Sequence, residues 1–411
     1  TTFDWNSEYV GTGPAYGYFA GGYQPGGSQS GVERIDYGND TATAAAKGPL
    51  SEATHHFAGG TGNASYGYVA AGGYPYKSTV QRIDYGNDTA TAVAKGPLTR
   101  VGGFVACTGN ASYGYWGGGA WPGPNSLIDR VDYSNDTPTA LLKGNLAVSK
   151  YQMSATGTTS YGYFAGGLTP NSSAMSRVDY SSDTSTALAR GPLTGTRYSI
   201  ASASNTDYGY WAGGSPSTMS TVDRLDFSSD TDATVTKGPL AAALAYGGGT
   251  GSRSYGYIGG GGPGGKTWVQ RIDYSSDTST ASQKGPLNTA RYSQGSVSAQ
   301  GNALPVGSTE LYTCALSPVN DGSWHHVVMT RVGGTQQTYY DGVGITTTGG
   351  TYTDGTNYSG VDGWLIGKGN PAVGVSTFSG NLANITIRKG KGLSSDEVQQ
   401  NFNALRSRFG V

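Results

Sequence analysis

An eight-residue stretch, Arg34-Ile35-Asp36-Tyr37-Gly38-Asn39-Asp40-Thr41, returns five times along this chain, starting again at Arg82, Arg130, Arg177, Arg224 and Arg271. Successive copies begin 48, 48, 47, 47 and 47 residues apart. Tyr-Gly-Tyr keeps the same beat at Tyr16, Tyr66, Tyr113, Tyr161, Tyr208 and Tyr255. So does a Lys/Arg-Gly-Pro/Asn-Leu stop at Lys47, Lys95, Lys143, Arg190, Lys237 and Lys284. One supersecondary unit copied at this period builds a solenoid, a propeller or an array.

Within the second copy, residues 52–62 form a first strand rich in small residues, and Tyr66-Gly67-Tyr68-Val69-Ala70 a second. A third, Thr79 to Tyr85, has Val80 and Ile83 an odd step apart, which implies a bulge or a strand buried on both faces. Thr89 to Ala94 is read as the fourth, ended by Gly96-Pro97. Short strands bounded by Gly, Asn, Asp and Pro make an antiparallel meander, and no helical period appears before residue 300. Gly is abundant (69), Tyr frequent (30), and only 13% of residues are charged, about half the usual share. Such a sheet cannot bury both faces alone, so copies pack around an axis, which small inner-strand residues allow.

The repeat resembles the kelch motif: a Gly-Gly doublet ends the second strand at Gly21, Gly72, Gly118, Gly166, Gly213 and Gly259, and a Gly-Pro-Leu stop follows the fourth. The outer-strand Trp of that family is replaced by Thr-Ala-Thr-Ala runs. Residues 1–300 are therefore expected to form a six-bladed propeller in an all-β chain. Residues 1–13, through Tyr9 to Gly13, can supply the first strand of the first blade, and residues 288–300 either compete with them to close the ring or lead into the next domain.

Residues 301–411 lose the period. Trp324-His325-His326-Val327, Tyr339-Tyr340-Asp341-Gly342 and Phe378-Ser379-Gly380-Asn381-Leu382 resemble, in that order, the second half of a concanavalin A-like, laminin-G-type jelly roll. A short C-terminal helix is expected from Ser394, with Glu397 at the capping-box position. The missing half is expected either upstream of Thr1, with the propeller inserted in the sandwich, which is the preferred reading, or from another chain. The ending, Asn401 to Gly410, is similar to laminin-G-like modules of marine bacteriophage structural proteins.

Chemistry is sparse. Net charge is −1 with no basic or acidic run, which argues against nucleic acid, and no segment is apolar over the length of a membrane span. Cys107 and Cys314 read as free structural thiols. His325 and His326 alternate on a strand, as His55 and His56 do, so neither pair chelates one metal ion. Arg34 and Asp36, with their five counterparts, read as blade-to-blade ion pairs or turn bonds, and Asn39-Asp40-Thr41 as a turn rather than a calcium loop or a glycan acceptor. The acids outside the repeat, Glu33, Asp129 and Asp223, read as scattered. No catalytic constellation, metal or cofactor is expected.

What varies is the loop between second and third strands. These loops present Tyr23, Tyr74, Tyr76, Lys77, Trp121, Asn125, Asn171, Lys266 and Trp268, flat rings beside polar groups that suit sugars. The expectation is a non-enzymatic virion-surface or tail-fibre protein, extracellular, attaching to host cell-surface glycans and to other virion proteins, and able to self-associate. The competing readings are an architectural decoration protein and a secreted carbohydrate-active propeller.

Overall fold

A computed structural model of the chain describes residues 2–4, 15–55, 59–73, 75–262, 264–298, 313–315, 327–332, 335–341 and 343–345. The chain divides into two compact units, Gly13–Pro305 and a second made of Thr1–Thr12 with Val306–Val411. The sequence reading set the boundary at residue 300 and left residues 1–12 with the propeller.

The first unit contains six four-stranded antiparallel sheets, one per repeat. In the second blade the strands are Gly59–Gly62, Tyr66–Ala70, Val80–Asp84 and Val93–Lys95, innermost to outermost. Third-strand residues 80–84 pair without interruption with residues 70–66, so there is no bulge. Val80, Gln81 and Ile83 are all buried because a neighbouring blade covers each face of the sheet.

The outer strand is shorter than residues 89–94. Asp84 accepts a bond from Gly86 N and starts a 3-10 turn over Tyr85–Asn87. The Thr-Ala-Thr-Ala segment that follows leans on the preceding blade, with Ala92 N donating to Pro49 O at 2.8 Å. The glycine of the stop motif completes this seam. Gly48 N donates to Asp88 O at 2.8 Å, and a Cβ on Gly48 would collide with the Ala90 carbonyl. The same approach recurs at Gly96, Gly144, Gly191, Gly238 and Gly285.

A staple crosses every blade interface. Asp88, 8% exposed, accepts from Tyr18 Oη at 3.0 Å and pairs with Arg34 at 2.7 Å and Lys47 at 3.1 Å, all from the preceding blade. Asp136, Asp183, Asp230 and Asp277 repeat it, and Asp40 closes the circle with Tyr257, Arg271 and Lys284. The Arg-x-Asp pair thus divides its duties. Arg34 reaches the next blade, while exposed Asp36 bonds Gly38 N in its own turn. Each staple arginine also lies over a tyrosine ring, 3.8 Å for Arg34 over Tyr16.

Stacked aromatic pairs back the staple, such as Tyr68 on Tyr133 with centroids 4.7 Å apart. Tyr37, Tyr133 and Tyr180 bond the hydroxyls of Thr250, Thr61 and Thr108 on inner strands. Tyr85 and Tyr274 converge instead on Val297 and Ala203, and their buried hydroxyls have no partner. Tyr274→Phe is therefore expected to raise stability by about 1 kcal/mol, seen as a higher denaturant midpoint at unchanged slope.

Ring closure belongs to the end of the repeat region. Gly295–Ser298 pairs with Tyr16–Ala20, Ser298 opposite Gly17 and Gly295 opposite Ala20, and becomes the innermost strand of the first blade. Of the rival N-terminal residues, Thr2–Asp4 pairs with Thr313–Ala315 in the second unit, and residues 5–14 lie outside the described residues.

In that second unit Val327–Val332 and Thr335–Tyr340 form a hairpin, and Val343–Ile345 adds a third strand. The Tyr-x-Asp-Gly motif falls at the turn, where Asp341 takes φ 48°. His325, His326, the motifs after residue 345 and the expected helix lie outside the described residues.

Candidate functional site

One rim of the propeller carries the variable loops. Backbone bridges Gln29–Thr54, Lys77–Gly102, Asn125–Lys150, Met219–Leu244 and Lys266–Arg291, with the bond from Arg197 N to Ser172 O, tie the six loops to the connection entering the next blade. Loops and blade-to-blade connections therefore share this rim, as the meander topology requires.

The aromatics expected on the loops fall into separate groups. Trp121 is 51% exposed and its ring lies 5.4 Å from that of Tyr76, across a blade boundary. Lys266 Nζ sits 4.9 Å over the ring of Trp268, which is 36% exposed. Tyr23 packs instead beside Tyr292 and His55, at 5.4 and 5.2 Å. Lys77 is engaged by Glu52 at 2.8 Å and by the Ala53 carbonyl. Asn125 uses its amide on its own loop, donating to Gly119 O and accepting from Leu127 N. Asn171 is half-buried, and Tyr74 lies outside the described residues.

The acids read as scattered are not. Glu33, Asp129 and Asp223 occupy one third-strand position in alternate blades, each opposite the fourth residue of a second strand, Phe19, Trp116 and Trp211. Each pairs with a buried or half-buried arginine: Glu33 with Arg291, Asp129 with Arg100 at 2.9 Å, Asp223 with Arg197 at 2.6 Å. Every one of these arginines also donates to carbonyls at both ends of a variable loop, Gly213 and Thr221 for Arg197. Arg291 does so at Gly21 and Gly31, and Arg100 at Gly118 and Leu127. The spacing hid this because Arg100 stands two positions earlier in its connection than Arg197 and Arg291 do.

Sequence reasoning also missed a second circle of aromatics. Tyr292, His55, Phe104, Tyr151, Tyr198 and Tyr246 come from the six connections just before each inner strand. Phe104 lies 5.8 Å from Tyr151, and Tyr246 lies 6.3 Å from Tyr292. The available signal was an aromatic or histidine seven or eight residues after each stop-motif glycine, obscured by an extra residue in the second connection.

Below this circle the inner strands enclose an axial cavity of about 100 Å³, lined by glycine, alanine, serine, threonine and a few larger neutral residues. Cys107 lies there, its thiol donating to Gly60 O, and burial pushes its pKa well up. No carboxylate lines the cavity among the described residues, and no group of three or more metal-ligating side chains occurs among them.

Residues 266–399 match the laminin-G-type family model of the concanavalin A-like lectin/glucanases superfamily. The matched range starts inside the sixth blade, before its third strand Val269–Asp273, and runs on through the C-terminal unit. No curated protein matches the chain.

Proposed function

We propose that this chain is a non-catalytic attachment protein on the surface of a bacteriophage particle, and that its propeller rim binds host cell-surface glycans. One observation carries the reading: Trp121 and Trp268 stand exposed on the rim that also holds the variable loops, each beside a group that can join it on a sugar. Indole faces stack on the C–H face of a pyranose, and the neighbouring tyrosine hydroxyl and ammonium supply hydrogen bonds. Arginine clamps under alternate loops hold this surface in shape before a ligand arrives, which lowers the entropy cost of binding. A companion domain matching a lectin-containing superfamily is consistent with carbohydrate work. The virion placement rests on the kelch-like repeats and on the likeness of residues 401–410 to phage structural modules.

A second reading has its own observation. Val93, Leu141, Leu142, Leu188 and Val235 project from the outer strands of four blades at 53–57% exposure, apolar contacts on offer to neighbouring virion proteins. Periodate treatment of host cells separates the two, because it cleaves the vicinal diols of sugars. Attachment of the purified protein is expected to collapse on treated cells. Attachment that survives the treatment moves the function to the outer strands.

A further inference from the structure

We propose that the inner circle of aromatics forms a subsite for one terminal pyranose ring of a neutral glycan, at the rim-side end of the axial cavity. The inference rests on the glycan-binding reading and assigns it a second location.

The circle is placed by the backbone. Gln152 N donates to Phe104 O at 3.2 Å, Ser199 N to Gln152 O at 2.9 Å, Tyr246 N to Ser199 O at 3.0 Å and Ser293 N to Tyr246 O at 2.8 Å. Five successive blades are thereby linked around the axis at one level. The next residue in each, Val105, Met153, Ile200, Gly247 and Gln294, lines the axial cavity. The aromatics therefore surround the cavity mouth.

Three properties of this circle point to a ligand. First, Phe104, Gln152, Ser199, Tyr246 and Ser293 all hold left-handed backbone, φ between 54° and 63°. Non-glycine residues rarely adopt it, bulky aromatics least, and such outliers gather at binding sites. Second, Gln152 and Ser199 are 7% and 0% exposed, yet Gln152 Oε1 and Ser199 Oγ have no hydrogen-bond partner. They follow Tyr151 and Tyr198 directly in the chain, and Gln294 Oε1, on a residue of the cavity wall, is likewise buried and unpaired. Buried polar atoms left unpaired are costly, and an incoming hydroxyl relieves that cost. Third, the nearby cations are committed: Arg197 to Asp223, Arg291 to Glu33, and Lys150 Nζ to the Pro170 carbonyl at 2.8 Å. A neutral sugar fits this environment and a sialic or uronic acid does not. The linked backbone flanks the axis on five of the six blades, which favours a ring that enters end-on, as a chain terminus does.

The test is a saturation-transfer NMR titration with methyl glycosides of neutral hexoses, with sialyllactose as the anionic comparator and a neutral oligosaccharide mixture as the extended one. At least one methyl glycoside is expected to bind, with affinity falling tenfold or more in Tyr151→Ala and Tyr198→Ala and unchanged in the exposed-turn variant Asp84→Asn. Ser199→Ala removes only the unpaired hydroxyl and is expected to weaken binding several-fold even if a tyrosine variant misfolds. Oligosaccharide binding that depends on the tryptophans, with no methyl glycoside bound, overturns the subsite and leaves the glycan reading standing. No saccharide bound at all overturns both, and a preference for sialyllactose overturns the neutral assignment.

Discussion

Asp136→Asn is expected to destabilise the propeller by about 3 kcal/mol, because removing one partner of a buried ion pair strands the others. The carboxylate is 6% exposed and meets Tyr68 at 2.9 Å, Arg82 at 2.8 Å and Lys95 at 3.0 Å. An amide there turns a donor toward donors. A melting point lower by about 10 °C is the expected reading. Asp84→Asn is the matched control. Its exposed Oδ1 accepts only Gly86 N, and an asparagine oxygen does the same, so melting is expected to stay within about 1 °C. The staple also fixes the acid response. Burial alone would raise Asp136, but hydrogen bonds from Lys95 and Tyr68 and the Arg82 charge together hold its carboxyl below the usual range. Asp40 is held down in the same way by Tyr257, Lys284 and Arg271 against its own burial. A depressed folded pKa contributes stability above the unfolded value and loses it as pH falls through the folded one, so melting temperature is expected to drop steeply below about pH 4.

The closing strand gives the second large effect. Val297 is 3% exposed, opposite Tyr18 in the register that joins the last repeat strand to the first blade. Val297→Asp places an unpaired carboxylate in that core, expected to cost about 4 kcal/mol or more and to lower the cooperativity of melting. Val10→Asp is expected to leave propeller melting unchanged. The reverse outcome would mean that the N-terminal residues close the ring.

Much of this architecture was legible because the repeat is an internal experiment in what each blade needs. Tyr-Gly-Tyr and the stop motif marked second-strand starts and outer-strand ends correctly, since those residues build a structural contact six times over. The partner of Arg34 was not legible. Its neighbour in sequence is Asp36, and its neighbour in space, Asp88, is 54 residues away across a seam that periodicity alone leaves undefined. Closure stayed open because residues 1–13 and 288–300 both offer strand-forming composition, and the pairing of Gly295–Ser298 with the first blade is what decides it. The loop tryptophans stood out because composition changes there. The clamps and the inner aromatic circle did not, because their residues are offset along the chain and converge only around the axis.

Attachment of folded Trp121→Ala/Trp268→Ala protein to host cells tests the central reading most directly. Each indole stacked on a sugar is expected to contribute about 1 kcal/mol or more, so losing both should weaken attachment at least tenfold while the melting temperature holds. Undiminished attachment by the double variant would contradict the account and leave the outer-strand apolar face as the working surface.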